Sequence, residues 1–209
     1  MTTILLIIFI ISLLYFSIAN RLMTYVKILV IQGILLFGVA LIELIEINLI
    51  NLLFILFETI IVKAVAIPLF MQYIIKKNKI TREAEPYVPY FVSLIVVSFI
   101  VVITFLIANY IHDIYLNKIY FIAALSALFS GLYFISTRRK IITHVICYVL
   151  IENGVFILSL AVGHNMPMLV NLGILLDVFV SVFLLGIFVN KVGDVINEGD
   201  VTQLSNIKD

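Results

Sequence analysis

Apolar residues fill this chain in long runs, and short polar clusters interrupt them. A helix needs about 20 mainly apolar residues to cross the hydrocarbon layer of a bilayer. Divided at that length, the pattern predicts an all-α, polytopic membrane helix bundle. Its seven predicted transmembrane helices lie at residues 3–20, 27–46, 48–75, 90–111, 119–136, 141–163 and 168–190.

The boundary between the second and third predicted helices lies in a polar cluster. Residues 28–75 form one almost unbroken apolar run, which would be about 70 Å long as a helix, whereas the hydrocarbon layer is about 30 Å thick. The chain must therefore turn, and the only polar cluster in this run holds Glu43, Glu46, Asn48 and Asn51. A carboxylate costs little at the interface, so Glu43 and Glu46 are interpreted first as interfacial groups and second as part of an ion path.

Composition supports the membrane class and excludes others. The 209 residues are 64% hydrophobic and 12% charged, and the mean hydropathy is +1.27. With a formal charge of +1, the chain lacks the excess of basic residues that is typical of nucleic-acid-binding proteins. The one cysteine, Cys147, and the three scattered histidines do not have the spacing of iron–sulfur, haem or zinc ligands, so we expect no metal or cofactor.

The basic residues of the loops predict the orientation. In a seven-helix arrangement they fall on one side of the membrane, which the positive-inside rule assigns to the cytoplasm. The N-terminus is then outside and the C-terminus cytoplasmic, whereas six helices would scatter the basic clusters over both faces. The clusters are Arg21 with Lys27, residues 76–82, residues 138–140 and the tail from Lys191.

Two carboxylates near the middle of the last two predicted helices are the main functional candidates. Glu152 and Asp177 lie about equally far from the turn at residues 163–167, at a depth of about 15 Å if both segments are helical. Two carboxylates at one depth in a medium of low dielectric constant should not both be charged, so we expect a proton that can be shared or transferred. The alternative is that each is neutral and hydrogen-bonds a neighbouring helix as a packing group.

Glu58 and Lys63 are a second pair, in the third predicted helix. They lie about 140° apart around an α-helix, so we expect no close pair within the helix and either outside partners or a wet path. Pro68 predicts a bend near Lys63 because it leaves the carbonyl of Ala64 without its partner. The alternative for Lys63 is that its ammonium group extends to the interface. His144, at the start of the sixth helix, is interpreted as an interfacial histidine, with proton entry as the alternative.

An internal repeat links these candidates. Residues 29–33 align with 149–154, which sets Gln32 against Glu152, and residues 55–58 align with 174–177, which sets Glu58 against Asp177. Gln32 would then relay a hydrogen bond without titrating. The predicted units are a three-helix N-terminal unit at 1–80, a linker and connecting helix at 81–115, a three-helix C-terminal unit at 116–192 and a cytoplasmic tail at 193–209. The two three-helix repeats would have parallel orientation.

Two segments carry a resemblance to a known family. Through LIENGVFILSLAVGHNMPMLVNLGILLDVFVSVFLLGIF and LFETIIVKAVAIPLF, the chain resembles component E of hydrogenase-4, a membrane subunit of formate hydrogenlyase-type group 4 nickel–iron hydrogenases. Its C-terminal half is similar to the K-type subunit of complex I and the C-type subunit of multisubunit cation/proton antiporters. In the K-type subunit, Glu152 would match the second-helix glutamate and Asp177 the third-helix acid.

The resemblance implies a place within a larger complex. The expected partners are a quinone-site-like and an antiporter-like membrane subunit, with soluble nickel–iron and iron–sulfur subunits that carry the catalysis. The chain itself would be a non-redox subunit that helps to move protons or sodium ions through the membrane, without enzymatic activity of its own. The alternatives are a purely structural anchor of such a complex and a free-standing ion transporter.

Overall fold

The apolar runs of the sequence form helices wherever the structure describes them. The structure is a computed structural model, and it describes residues 1–43, 57–77, 86–111 and 116–162, all of which belong to one compact unit. Over these ranges the regular elements are helical. They are α1 (Thr2–Ile18), α2 (Leu22–Glu43), a π-helix (Glu58–Ala66) that continues directly as α3 (Ile67–Lys77), α4 (Tyr90–Tyr110), α5 (Lys118–Thr137) and α6 (Ile141–Val162).

Five helical stretches in the described ranges are long and apolar enough to cross a membrane. They are Leu22–Ile42, Thr59–Lys76, Tyr90–Tyr110, Lys118–Thr137 and Ile142–Ala161, and α1 is a shorter apolar helix of 17 residues. The described part is therefore all-helical, with membrane-spanning character. The seventh predicted helix, at 168–190, lies outside the described residues, as do Glu46, Asn48 and Asn51 at the predicted turn.

The second helix differs from its prediction at its start. It begins at Leu22 and not at residue 27, so Lys27 lies inside α2 with an exposed side chain. The physical reason is that residues 22–26 contain no helix breaker and that Tyr25 and Val26 are buried in the bundle. A long side chain such as lysine can remain in the helix and extend toward water.

Close backbone contacts set the positions of the helices. A Cβ atom on Gly33 of α2 would lie 2.9 Å from the backbone N and Cα of Ala64 in the π-helix. A Cβ atom on Gly154 of α6 would lie 2.9 Å from the Cβ of Ala127 in α5. Small residues at helix interfaces permit this close approach in membrane bundles. The two glycines therefore fix α2 against the π-helix and α6 against α5.

The outer surface of the bundle is apolar. Only 22% of the spanning stretch of α4 is buried, and it exposes Phe91, Phe99 and Leu106. Helix α1 likewise exposes Ile4 and Ile11. Soluble monomers rarely expose contiguous apolar surface of this kind, whereas a bilayer accommodates it. Helix α2, by contrast, contacts α1, the π-helix, α3 and α6, and so lies in the interior.

Arg138 is a buried arginine that contacts several helices at one end of the bundle. The side chain of Arg138, between α5 and α6, is 1% exposed, and its Nη2 donates to the carbonyl oxygen of Ser17 over 3.1 Å. Its guanidinium group lies 5.0 to 5.8 Å from the ring centroids of Tyr25, Tyr90 and Phe134. Arg138 therefore ties the end of α1 to the start of α4 and the α5–α6 connection through cation–π contacts and one hydrogen bond.

Candidate functional site

Five polar side chains are buried in the interior of the bundle, and we refer to them as the buried polar cluster. They come from α1, α2, the π-helix and α6, and none is more than 9% exposed. Buried polar groups are costly among apolar helices unless they are hydrogen-bonded, so the contacts within the cluster decide what it does. The members are Ser12, Gln32, Lys63, Glu152 and Asn153.

A chain of side-chain hydrogen bonds crosses three helices through this cluster. Asn153 donates through Nδ2 to Oε1 of Gln32 over 3.1 Å, and Gln32 donates through Nε2 to Oγ of Ser12 over 2.8 Å. Ser12 in turn donates to the carbonyl oxygen of Phe9 over 2.6 Å. The chain therefore runs in one direction, from α6 through α2 to the backbone of α1.

Glu152 lies at the middle of α6. It is eleven residues after Ile141 and ten before Val162, the two ends of the helix. At 1.5 Å per residue this is about 15 Å from either end. Its side chain is 3% exposed. The predicted mid-membrane carboxylate is thus buried inside the bundle, next in sequence to Asn153, and does not face the apolar outer surface.

Lys63 belongs to the same region of the interior. Its side chain is 2% exposed, and its Nζ lies 5.0 Å from the ring centroid of Phe156, which follows Glu152 by one helical turn. The residue after it, Ala64, is the one that touches Gly33, next to Gln32. The ammonium group is therefore directed into the bundle toward α6, whereas the alternative interpretation placed it at the interface.

The helix that carries Glu58 and Lys63 differs from the expected one. Residues 58–66 form a π-helix, in which backbone hydrogen bonds join residues five apart. Positions 58 and 63 therefore lie closer together around the helix axis than in an α-helix, which would separate them by about 140°. The bend that Pro68 predicts near Lys63 stays a prediction, and what the structure shows there is this change of helix type, which ends two residues before the proline.

The remaining sequence candidates lie away from the cluster or outside the described residues. His144 is in the first turn of α6, where its Nε2 is 2.9 Å from the carbonyl oxygen of Arg138, a position that fits the interfacial interpretation. Glu43 is the last residue of α2. Asp177 and Glu46 lie outside the described residues, so the predicted pairing of Glu152 with Asp177 stays a prediction.

Sequence reasoning missed two members of the cluster, Ser12 and Asn153. Serine is common in membrane helices and therefore gives a weak signal. Asn153 directly follows Glu152, and the ionisable residue was the more obvious candidate of the two. A polar residue at the middle of an apolar run was the available signal for both. A second buried polar contact, between Thr104 of α4 and Ser126 of α5 at 2.8 Å, has no titratable member.

The described residues hold no group of three or more histidine, cysteine or acidic side chains placed to bind a metal ion. Comparison of the chain with protein families, with curated proteins and with solved structures finds no match. The class of protein therefore follows from the fold and the cluster alone. The chain is an all-helical protein whose described part has five membrane-spanning stretches and a buried, partly titratable polar cluster.

Proposed function

We propose that this chain is a non-redox subunit of a membrane-bound complex, in which Glu152 and Lys63 help to carry protons or sodium ions through the bilayer. The observation that supports this most directly is the burial of a glutamate and a lysine in the middle of an apolar bundle. Ionisable groups at this depth are costly, and they usually mark an ion or proton path. The π-helix around Lys63 adds support because such segments are frequent at functional sites.

The proposed path extends beyond the described residues. Glu58 would share a face of the π-helix with Lys63, and Asp177 would continue the path from Glu152 in the seventh helix. Gln32 would contribute a hydrogen bond and not a charge. The contact between α2 and α6 supports the proposed repeat, since Gln32 aligns with Glu152 in sequence and bonds to the residue that follows it.

The resemblance to component E of hydrogenase-4 suggests the surroundings of the subunit. In this proposal, antiporter-like and quinone-site-like subunits flank it in the membrane, and soluble nickel–iron and iron–sulfur subunits perform the redox chemistry. The chain would lie in the cell membrane with its N-terminus outside and its C-terminus in the cytoplasm. The large apolar surface of α4 and α1 would face lipid or the flanking subunits.

Substitution of the two acids tests the ion path. Glu152→Gln and Asp177→Asn, made in the assembled complex, should each lower ion pumping at least tenfold while the complex remains intact. Glu198→Gln is a matched control, because it makes the same change in the predicted cytoplasmic tail and should leave pumping unchanged. Normal pumping with both acids replaced would overturn the proposal.

The hydrogen-bond chain favours a second function, that of a structural anchor. Two side-chain hydrogen bonds tie α6 to α2 and α2 to α1, which is what a packing role requires. The two functions differ in what the acid substitutions do, because an anchor would lose assembly and a relay would lose pumping in an intact complex. Gentle solubilisation followed by mass spectrometry identifies the partners. Isolation of the chain alone would instead favour a free-standing transporter.

A further inference from the structure

The amide of Asn153 is oriented by its neighbours. We propose that Asn153 is a positioning residue for proton transfer in the buried polar cluster, a role that rests on the proposed function. It would present Oδ1 as a hydrogen-bond acceptor to the group that holds the proton, either the Lys63 ammonium or the Glu152 carboxylic acid.

The hydrogen-bond chain determines which way the amide points. Asn153 Nδ2 donates to Gln32 Oε1, and Gln32 cannot turn its own amide without losing the donation from Nε2 to Ser12. Ser12 is held in turn by the carbonyl oxygen of Phe9. A reversed Asn153 amide would place its oxygen against the oxygen of Gln32. The orientation of Oδ1, away from Gln32, is therefore set by side chains of two other helices.

The oxygen that this orientation presents is buried. Asn153 is 1% exposed, and its Oδ1 accepts no hydrogen bond from the residues that the structure describes. A buried hydrogen-bond acceptor without a donor destabilises the protein. The unpaired Oδ1 therefore favours any protonation state in which a neighbouring group donates a hydrogen bond to it. A carbonyl oxygen accepts only from a group that carries a proton.

Two ionisable side chains are buried in the same part of the bundle as Asn153. Glu152 precedes it in α6, and Lys63 Nζ lies over the ring of Phe156, three residues further along the same helix. Helices α1 and α2 contribute Ser12 and Gln32, neither of which titrates. In this proposal, the oxygen of Asn153 accepts a hydrogen bond from whichever of Glu152 and Lys63 carries the proton and reaches it, and so stabilises that state.

Infrared difference spectroscopy of the full-length chain in lipid, with ¹³C-labelled asparagine side chains, tests this role. The carbonyl band of Asn153, identified by its loss in Asn153→Leu, should shift when the pH is changed. It should become independent of pH in the double variant Lys63→Met with Glu152→Gln. Asn109→Leu is the matched control, since Asn109 is exposed near the end of α4, and this change should leave the band in place.

The variants of Gln32 separate positioning from packing. Gln32→Glu keeps an acceptor for Asn153 Nδ2 and should retain the pH-dependent band, whereas Gln32→Leu releases the amide and should broaden or displace the band. In the assembled complex, Asn153→Leu should slow ion pumping roughly tenfold, the amount expected for the loss of a hydrogen bond to a charged group.

Two results would overturn the inference: an Asn153 band that does not respond to pH, or a response that persists without Lys63 and Glu152. The spectroscopic result does not depend on transport. A normal Asn153 response together with undiminished pumping when Glu152→Gln and Asp177→Asn are combined would support this inference and overturn the proposed function. The failure of one is therefore distinguishable from the failure of the other.

Discussion

The side-chain amide of Gln32, in α2, connects α6 to α1 in the interior of the bundle. Gln32 is ten residues after the start of α2 and eleven before its end, and its side chain is fully buried. Both ends of its amide are used, one by Asn153 and one by Ser12. A neutral amide at this depth connects two other helices without the cost of a buried charge.

Replacement of Gln32 should therefore destabilise the bundle. Gln32→Leu removes two buried hydrogen bonds and leaves a donor of Asn153 unmatched, which should cost roughly 1 to 3 kcal/mol. Gln72→Leu is the matched control, because Gln72 of α3 is only half-buried and makes no side-chain hydrogen bond to the described residues. Thermal unfolding in detergent measures both variants. Equal loss of stability in the two would contradict the assignment.

The helices are positioned by glycine contacts that the sequence pattern does not single out. Gly33 and Gly38 both lie in α2, but only Gly33 faces backbone, the N and Cα of Ala64. Gly38 faces the end of a flexible side chain, since a Cβ atom there would lie 3.1 Å from Cδ1 of Leu5. The first contact is rigid and the second can adjust. Consequently the two glycines should tolerate alanine very differently.

That difference is a prediction for the helix pair. Gly33→Ala should push α2 away from the π-helix and cost about 1 to 3 kcal/mol, the usual penalty for overpacking. Gly38→Ala should be close to neutral, because Leu5 can change its rotamer and alanine favours the helix. Melting temperatures of the two purified variants provide the test. If Gly38→Ala lowered the melting temperature more than Gly33→Ala, the assignment of Gly33 as the rigid contact of α2 would be contradicted.

The described part of the molecule is an apolar bundle with a small buried polar cluster and a buried arginine at one end. The exposed surface of α4 and α1 is aliphatic and aromatic, whereas Gln32, Lys63 and Glu152 are turned inward. At one end Arg138 joins the start of α4 to the α1–α2 and α5–α6 connections. This distribution is the one that a bilayer favours, because lipid solvates the apolar exterior and the ionisable groups lie within the bundle.

The proposed seven helices predict that the two ends of the chain lie on opposite sides of the membrane. A reporter that is active only outside the cell should function when fused before Met1 and fail when fused after Asp209. A reporter that is active only in the cytoplasm should give the reverse result. Activity of one reporter at both ends would indicate an even number of crossings and would overturn the proposed topology.

Hydrophobic run lengths predicted the helices of the described part of this protein, because burial in lipid depends on local composition and an apolar segment of sufficient length forms a helix there. The same reasoning found Gln32, Lys63 and Glu152, since a polar residue within an apolar run is conspicuous. It gave the wrong geometry for positions 58 and 63, because a π-helix is set by contacts and not by the hydrophobic period.

Only the tertiary structure decided which of these residues meet. The bond between Asn153 and Gln32 joins residues 121 positions apart, and so does the bond between Arg138 and Ser17. When apolar helices have similar compositions, their sequence patterns do not predict which helices pack against each other. Their arrangement depends on close contacts such as Gly33 with Ala64, and the tertiary packing then places Asn153 and Ser12 beside the groups that the sequence had already indicated.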